Sequence, residues 1–137
     1  MRYAGDVTSQ QAYDALRDDP HAVLVDVRTR AEWAYVGLPV LDAVGKDVVC
    51  VEWQTFPDGG LNPHFLDDLR AAGVGDEQAV YFICRSGARS AAAASALSVA
   101  GGGPAYNIAD GFEGPHDAHG HRSHSGWKVA GLPWRQG

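Results

Sequence analysis

An α/β domain built on a mostly parallel sheet is the fold class that the sequence predicts, on three observations. Residues 22–27 and 79–83 are near-continuous apolar runs, the pattern of strands buried on both faces. Helical patterns with their own start and stop signals separate such runs, which implies βα units and a sheet covered on both sides. The chain has 137 residues, 45% of them hydrophobic, which suits a single domain over residues 1–137 with one sizeable core.

The elements follow in order. Thr8 reads as an N-cap with Gln11 in the capping-box position, opening a helix through Ala12, Ala15 and Leu16 that stops before Pro20. The strand at 22–27 comes next, and Thr29 to Trp33 opens a short helix. Residues 47–53 form a second β-rich run. Asn62 precedes a helix with Pro63 at its first position, Leu66 and Leu69 on one face and a stop near Gly73. The strand at 79–83 runs through Cys84 to Ser90 into an Ala-rich helix at 91–97. Residues 105–108 read as a last short strand. Residues 126–131 read as a final short helix capped by Ser125.

Charge narrows the function. With 11 basic and 17 acidic residues the formal net charge is −6, which argues against nucleic acid and anionic membrane partners. No run is long enough to span a membrane, and residues 1–7 lack the apolar run of a signal peptide. Two cysteines, Cys50 and Cys84, do not make a disulfide scaffold. The expectation is a soluble, cytoplasmic protein in a reducing compartment.

The stretch Cys84-Arg85-Ser86-Gly87-Ala88-Arg89-Ser90 carries the chemistry. It puts a cysteine at the end of a buried strand, on a loop running into a helix N-terminus. Unpaired N–H groups and the positive end of the helix dipole favour an anion there. Such placement with cationic neighbours, here Arg85 and Arg89, lowers a thiol from about 8.5 to roughly 3.5–7.5. Gly87 permits a tight turn, and Ser86 and Ser90 add hydroxyl donors. Cys50, inside an apolar run, is expected to be a packed strand residue rather than a relay thiol. Asp26 and Arg28 are expected to form a structural ion pair. Trp33, Trp53, Trp127 and Trp134 are expected to be packing residues.

These motifs resemble those of the rhodanese (thiosulfate sulfurtransferase) family, as a single-domain member. Asp26-Val27-Arg28 followed by Glu32-Trp33 is similar to the family's Asp-x-Arg strand end and Glu-aromatic pair, and residues 84–90 to its active-site loop. Residues 107–112 resemble its Asn-apolar-x-Gly-Gly turn, and Gly126-Trp127 with Gly131-Leu132-Pro133 resemble its usual ending. Two departures stand out. Residues 35–40 lack the histidine of the family's Gly-His-Ile-Pro-Gly-Ala segment. Asp110 replaces the first glycine of the Gly-Gly turn, which places a carboxylate near the pocket mouth.

The resemblance implies a five-stranded sheet with helices on both faces, and a Cys84 that carries sulfane sulfur as a persulfide. It implies a small anionic donor such as thiosulfate, bound by Arg85, Ser86, Gly87, Ala88, Arg89 and Ser90. The acceptor would be cyanide, a thiol or a protein, and no metal or organic cofactor is required. Four residues separate Cys84 from Arg89. The related phosphatases and arsenate reductases have five, so the shorter loop favours one sulfur atom over a tetrahedral oxyanion. Two alternatives remain at this point: a phosphatase or arsenate reductase on the same architecture, and a non-catalytic sulfur-binding or interaction module. The four histidines between His116 and His124 have no usual zinc spacing and read as a polar surface loop over the site mouth. When protonated they would favour anionic donors.

Overall fold

A computed structural model describes residues 3–55, 59–114 and 125–136. The histidine segment singled out above lies outside the described residues. The elements run β1 (Gly5–Val7), α1 (Ser9–Asp18), β2 (Val23–Asp26), α2 (Arg30–Tyr35), β3 (Leu38–Pro39), a 3-10 turn (Asp42–Val44), β4 (Val49–Cys50), α3 (Phe65–Ala71), β5 (Val80–Ile83), α4 (Ala88–Val99), β6 (Ala105–Ile108) and β7 (Trp134–Arg135). Strands β1, β6, β5, β2 and β4 form, in that order, a five-stranded sheet in which every pairing is parallel. Short β3 and β7 make a separate antiparallel pair.

Alternation along the central strands sorts the core into two layers. Val25, Phe82 and Cys84 face Phe65 and Leu69 of α3 and Ala93, Ala94 and Leu97 of α4. Leu24, Tyr81 and Ile83 face Ala12 and Leu16 of α1, together with Phe112 and Trp127. The alanines of α4 let that helix lie close to the sheet, while Trp127 fills the opposite layer at 0% exposure.

Helix starts agree with their caps. Thr8 and Thr29 each accept from the N3 amide, and Gln11 and Glu32 each reach back to the cap amide, so both capping boxes are complete. Four expectations are corrected. Helix α3 begins at Phe65 rather than Pro63, because the Asn62 side chain takes the His64 amide and folds residues 62–64 into a turn. Only Val49 and Cys50 of the run at 47–53 pair as a strand; beyond them the Val51 and Trp53 amides still donate to the Asp26 and Val27 carbonyls, but the backbone there is irregular. Residues 126–131 make a single helical turn bracketed by Gly126 and Gly131 at positive φ, not a helix. Trp134, expected as core or half-buried packing, is 39% exposed and packs at the surface, edge-on to Phe112 and under the Lys128 ammonium.

Asp26 and Arg28 are both fully buried. Arg28 donates from Nη2 to Asp26 Oδ2 at 2.7 Å and from Nε to Oδ1 at 3.0 Å. Its Nη2 also donates to the Gly37 carbonyl at 2.6 Å, holding the segment that leads into β3. The guanidinium stacks over the Phe112 ring at 4.3 Å. The ion pair therefore ties the end of β2 to both neighbouring loops. Removing one partner strands a buried charge, which costs about 3–5 kcal/mol. Asp26→Asn is expected to lower the unfolding free energy by that amount, read from urea denaturation at constant m.

Candidate active site

Cys84 is the first residue after β5, at the carboxyl end of a parallel sheet, where ligands bind in folds of this kind. The residue is 1% exposed. The chain then turns through Ser86 and Gly87 into α4, so that Ala88, Arg89 and Ser90 form the first helical turn. Gly87 takes φ +109°, and a Cβ there would strike the Ala109 carbonyl oxygen. Gly111 takes φ +65°, and a Cβ there would strike the Arg85 carbonyl. The two glycines let the loop after β5 lie directly on the turn after β6. Phe112 N–H donates to the Cys84 carbonyl at 2.8 Å, and Glu113 N–H to the Arg85 carbonyl at 3.0 Å.

Two groups meet the sulfur. The Gly87 N–H donates to Sγ at 3.1 Å, and Ser90 Oγ lies 3.2 Å from Sγ. Among the described residues, Gly87 supplies the one backbone amide bonded to the sulfur, where the loop resemblance implies a ring of amides from Arg85 to Ser90. The Ser90 hydroxyl is itself 2.5 Å from Asn107 Oδ1 and 3.2 Å from the Gly87 carbonyl.

The two arginines part company. Arg89 makes a two-pronged bond to Glu32 of α2, Nη1 to Oε1 at 2.6 Å and Nη2 to Oε2 at 2.9 Å. This fork braces the loop against the helix that follows β2. Partial burial opposes ionisation of Glu32, but the Arg89 fork outweighs it and holds the carboxyl below the ordinary glutamate range. Arg85 is exposed, as is Ala88, while Ser86 is half-buried. No hydrogen bond or ion pair of the Arg85 side chain is found among the described residues.

Asp110, the carboxylate expected near the pocket mouth, is engaged by the start of α1. Its Oδ1 accepts from Ser9 N–H at 3.0 Å and from Ser9 Oγ at 2.9 Å, binding the β6 turn to the first turn of α1. Asn107, 4% exposed, is the residue whose part in the site the sequence reading passed over. The signal was there: an amide in the middle of a buried strand needs partners. Asp6 and Tyr3, which complete its network, carried no such signal.

Cys50 is exposed, not packed. The cause is its place on β4, the edge strand of the sheet. It borders a cavity of about 320 Å³ with Leu38, Asp47 and Arg135 on one side, and one of about 510 Å³ with Trp33 and Asn62 on the other. Although the residue as a whole is exposed, desolvation of its thiol, helped by the Asp26 carboxylate, pushes that thiol up to about 12. At neutral pH it is therefore protonated and a poor nucleophile. In a Cys84→Ser background, iodoacetamide alkylation of Cys50 is expected to be slow at pH 7. Its rate should rise about tenfold per pH unit up to about pH 11, followed by peptide mass spectrometry.

The sequence matches the STR4 middle domain family over residues 4–137. The crystal structure of Rv0390 from M. tuberculosis superposes with a TM-score of 0.90 at 54% identity, covering 98% of this chain and 99% of that one. An uncharacterized protein of Rickettsia conorii is 41% identical over 94% of this chain and 95% of its own length. A chloroplastic rhodanese-like domain-containing protein 4 of Arabidopsis thaliana is 30% identical over 93% of this chain, which corresponds to 25% of that protein. The polysulfide-sulfur transferase of Wolinella succinogenes shares the fold with a TM-score of 0.61 at 24% identity, over 95% of this chain and 77% of that one. Sheet order, the glycine-backed cysteine loop and these likenesses agree: the chain belongs to the STR4 middle domain family and has the rhodanese-like α/β fold.

Proposed function

We propose that this protein is a sulfurtransferase in which Cys84 carries sulfane sulfur as a persulfide between a small anionic donor and a thiophilic acceptor. The observation that carries the reading is the seat of Sγ. It lies between the end of β5 and the N-terminus of the 12-residue helix α4, with the Gly87 amide pointed at it from 3.1 Å. An amide donating to an anionic sulfur contributes about 1.5–3 kcal/mol, and the helix dipole acts in the same direction.

The first half-reaction begins with the Cys84 thiolate attacking the outer sulfur of thiosulfate. A new S–S bond forms to Sγ, the bond to the sulfonate sulfur breaks, and sulfite leaves with its electron pair. The second half-reaction moves the outer sulfur to cyanide, a thiol or a protein nucleophile, and Cys84 departs as thiolate. Arg85, exposed beside the loop, draws in the anionic donor. Arg89, held by Glu32, keeps the first turn of α4 against the sulfur. Ser86, half-buried, and Ala88, exposed, complete the donor-facing loop in this reading. Among the described residues there is no cluster of side chains suited to a metal ion, and none of their helices is long and apolar enough to cross a membrane.

Thiosulfate is expected to add about 32 Da, one sulfur, to Cys84 in the wild-type and Cys50→Ser proteins, with cyanide removing it. Cys84→Ala should take up no sulfur while keeping its circular dichroism spectrum. An unmodified Cys84 peptide after thiosulfate treatment would overturn the assignment. Arg85→Ala is expected to raise KM for thiosulfate about fivefold, the scale of an exposed charge contact, with kcat nearly unchanged. The difference should shrink as salt is added.

A further inference from the structure

A chain of polar groups, buried at Ser90 and Asn107 and reaching the surface at Asp6, leads away from Cys84, and the sulfur-transfer scheme leaves it unused. Asn107 sits opposite Asp6 in the parallel β1–β6 register. Its Nδ2 is 3.0 Å from Asp6 Oδ1, and the Tyr3 hydroxyl donates to the same oxygen at 2.8 Å. The Asp6 carboxylate raises the pKa of Tyr3 above its ordinary value, as expected for a phenol donating to an anion. An ionised carboxylate only accepts, so the Asn107 amide has one orientation: nitrogen toward Asp6, carbonyl toward Ser90.

That orientation decides where the Ser90 proton goes. Three acceptors surround the hydroxyl: Asn107 Oδ1 at 2.5 Å, the Gly87 carbonyl at 3.2 Å and Cys84 Sγ at 3.2 Å. The group has one proton, and the contact with the Asn107 oxygen is far the shortest. Toward Sγ the serine then presents lone pairs. A neutral thiol fits this arrangement by donating its S–H. A thiolate, or the inner sulfur of a persulfide, has no proton to give and meets those lone pairs unless Ser90 abandons Asn107.

We propose that Asn107, fixed by Asp6, is a positioning residue that keeps the Ser90 proton off Cys84 and so favours the sulfur-free thiol over the loaded protein. This rests on the sulfurtransferase reading for its functional consequence. Loading is written in full as Cys84–SH plus thiosulfate giving Cys84–S–S⁻ plus hydrogen sulfite. The thiol proton leaves with the sulfite. The loaded form requires the Ser90 hydroxyl to turn toward sulfur, breaking its bond to Asn107. The network therefore shifts the equilibrium toward discharge, as suits a carrier that must pass its sulfur on.

The test uses the full chain and two readouts. Asn107→Leu keeps the volume and removes both the acceptor and the link to Asp6. Iodoacetamide alkylation of Cys84 at pH 7 is expected to speed up about fivefold, the scale of one net hydrogen bond. The loaded fraction at a fixed thiosulfate-to-sulfite ratio should shift toward persulfide by a similar factor. Both gains should vanish in a Ser90→Ala background, because the effect passes through that hydroxyl. Asp6→Asn, a change at an exposed residue, frees the amide to turn and should give smaller gains of the same sign. It carries the test if Asn107→Leu does not fold. An unchanged or slower alkylation rate in the folded variants, or a gain that persists without Ser90, overturns the proposal. The alkylation readout needs no sulfur donor. A wild-type protein that never gains sulfur sinks the transferase reading, while proton placement is still decided by alkylation.

Discussion

The backbone of the loop after β5 lies directly on the backbone of the turn after β6, and the geometry at Cys84 depends on that contact. Side chains at Gly87 or Gly111 would collide with carbonyl groups of the opposing segment, so both positions require hydrogen in place of Cβ. With the two segments pressed together, the Cys84 and Arg85 carbonyls are taken by Phe112, Glu113 and Gly114 amides. The carbonyls of the loop are thereby turned toward the β6 turn. What faces the sulfur is the Gly87 amide and the open end of α4. A loop free of this constraint would have no reason to aim a donor at Sγ.

Two ion pairs hold the contact from either side. Arg28 and Asp26, both sealed from solvent, tie the end of β2 to Gly37 and to the Phe112 ring that seats the β6 turn. Arg89 and Glu32, partly exposed, tie α4 to α2. The first contributes little net stabilisation beyond what an apolar replacement would give, but a broken pair would be severe because a charge would be left in the core. The second places one charged arginine near Cys84 without leaving its fork free. On the proposed sulfur-transfer reading, the attraction of a small anion falls to Arg85, which is exposed. Asp110 adds a third tie, from the turn to the start of α1, so the residue that departs from the family's glycine is used as a helix-end acceptor.

Much of the fold was legible in the sequence because its signals are local. The capping box at Thr8 marks one helix start to the residue, and the stretch opening at Thr29 places the next within a residue. The apolar runs gave β2 and β5, and the run at 105–108 gave β6 with its bounds. Of what failed, two cases have nonlocal reasons and one a local reason. Gly5–Val7 has no strand composition and is a strand only because β6 offers it an edge. Pro63 is placed like a helix start, yet the Asn62 side chain holds its neighbours in a turn. The apolar surroundings of Cys50 in sequence suggested packing, and its position on the outermost strand put it in solvent.

The sequence by itself determined that a cysteine would end a buried strand, turn at a glycine and meet a helix N-terminus, since each of these follows from residue type and short-range spacing. It also determined that Asp26 and Arg28 would pair, being two apart at a strand end. Tertiary structure alone decided which groups reach the sulfur and which are spent elsewhere. Asn107 and Asp6 are 101 residues apart, and Ser90 meets Asn107 only because β1, β6 and β5 lie side by side. Arg89 meets Glu32 across 57 residues because β2 and β5, the strands that precede their helices, are paired. A hydrogen bond is settled by distance and direction in space, and a parallel sheet brings together residues whose separation along the chain carries no trace of the encounter.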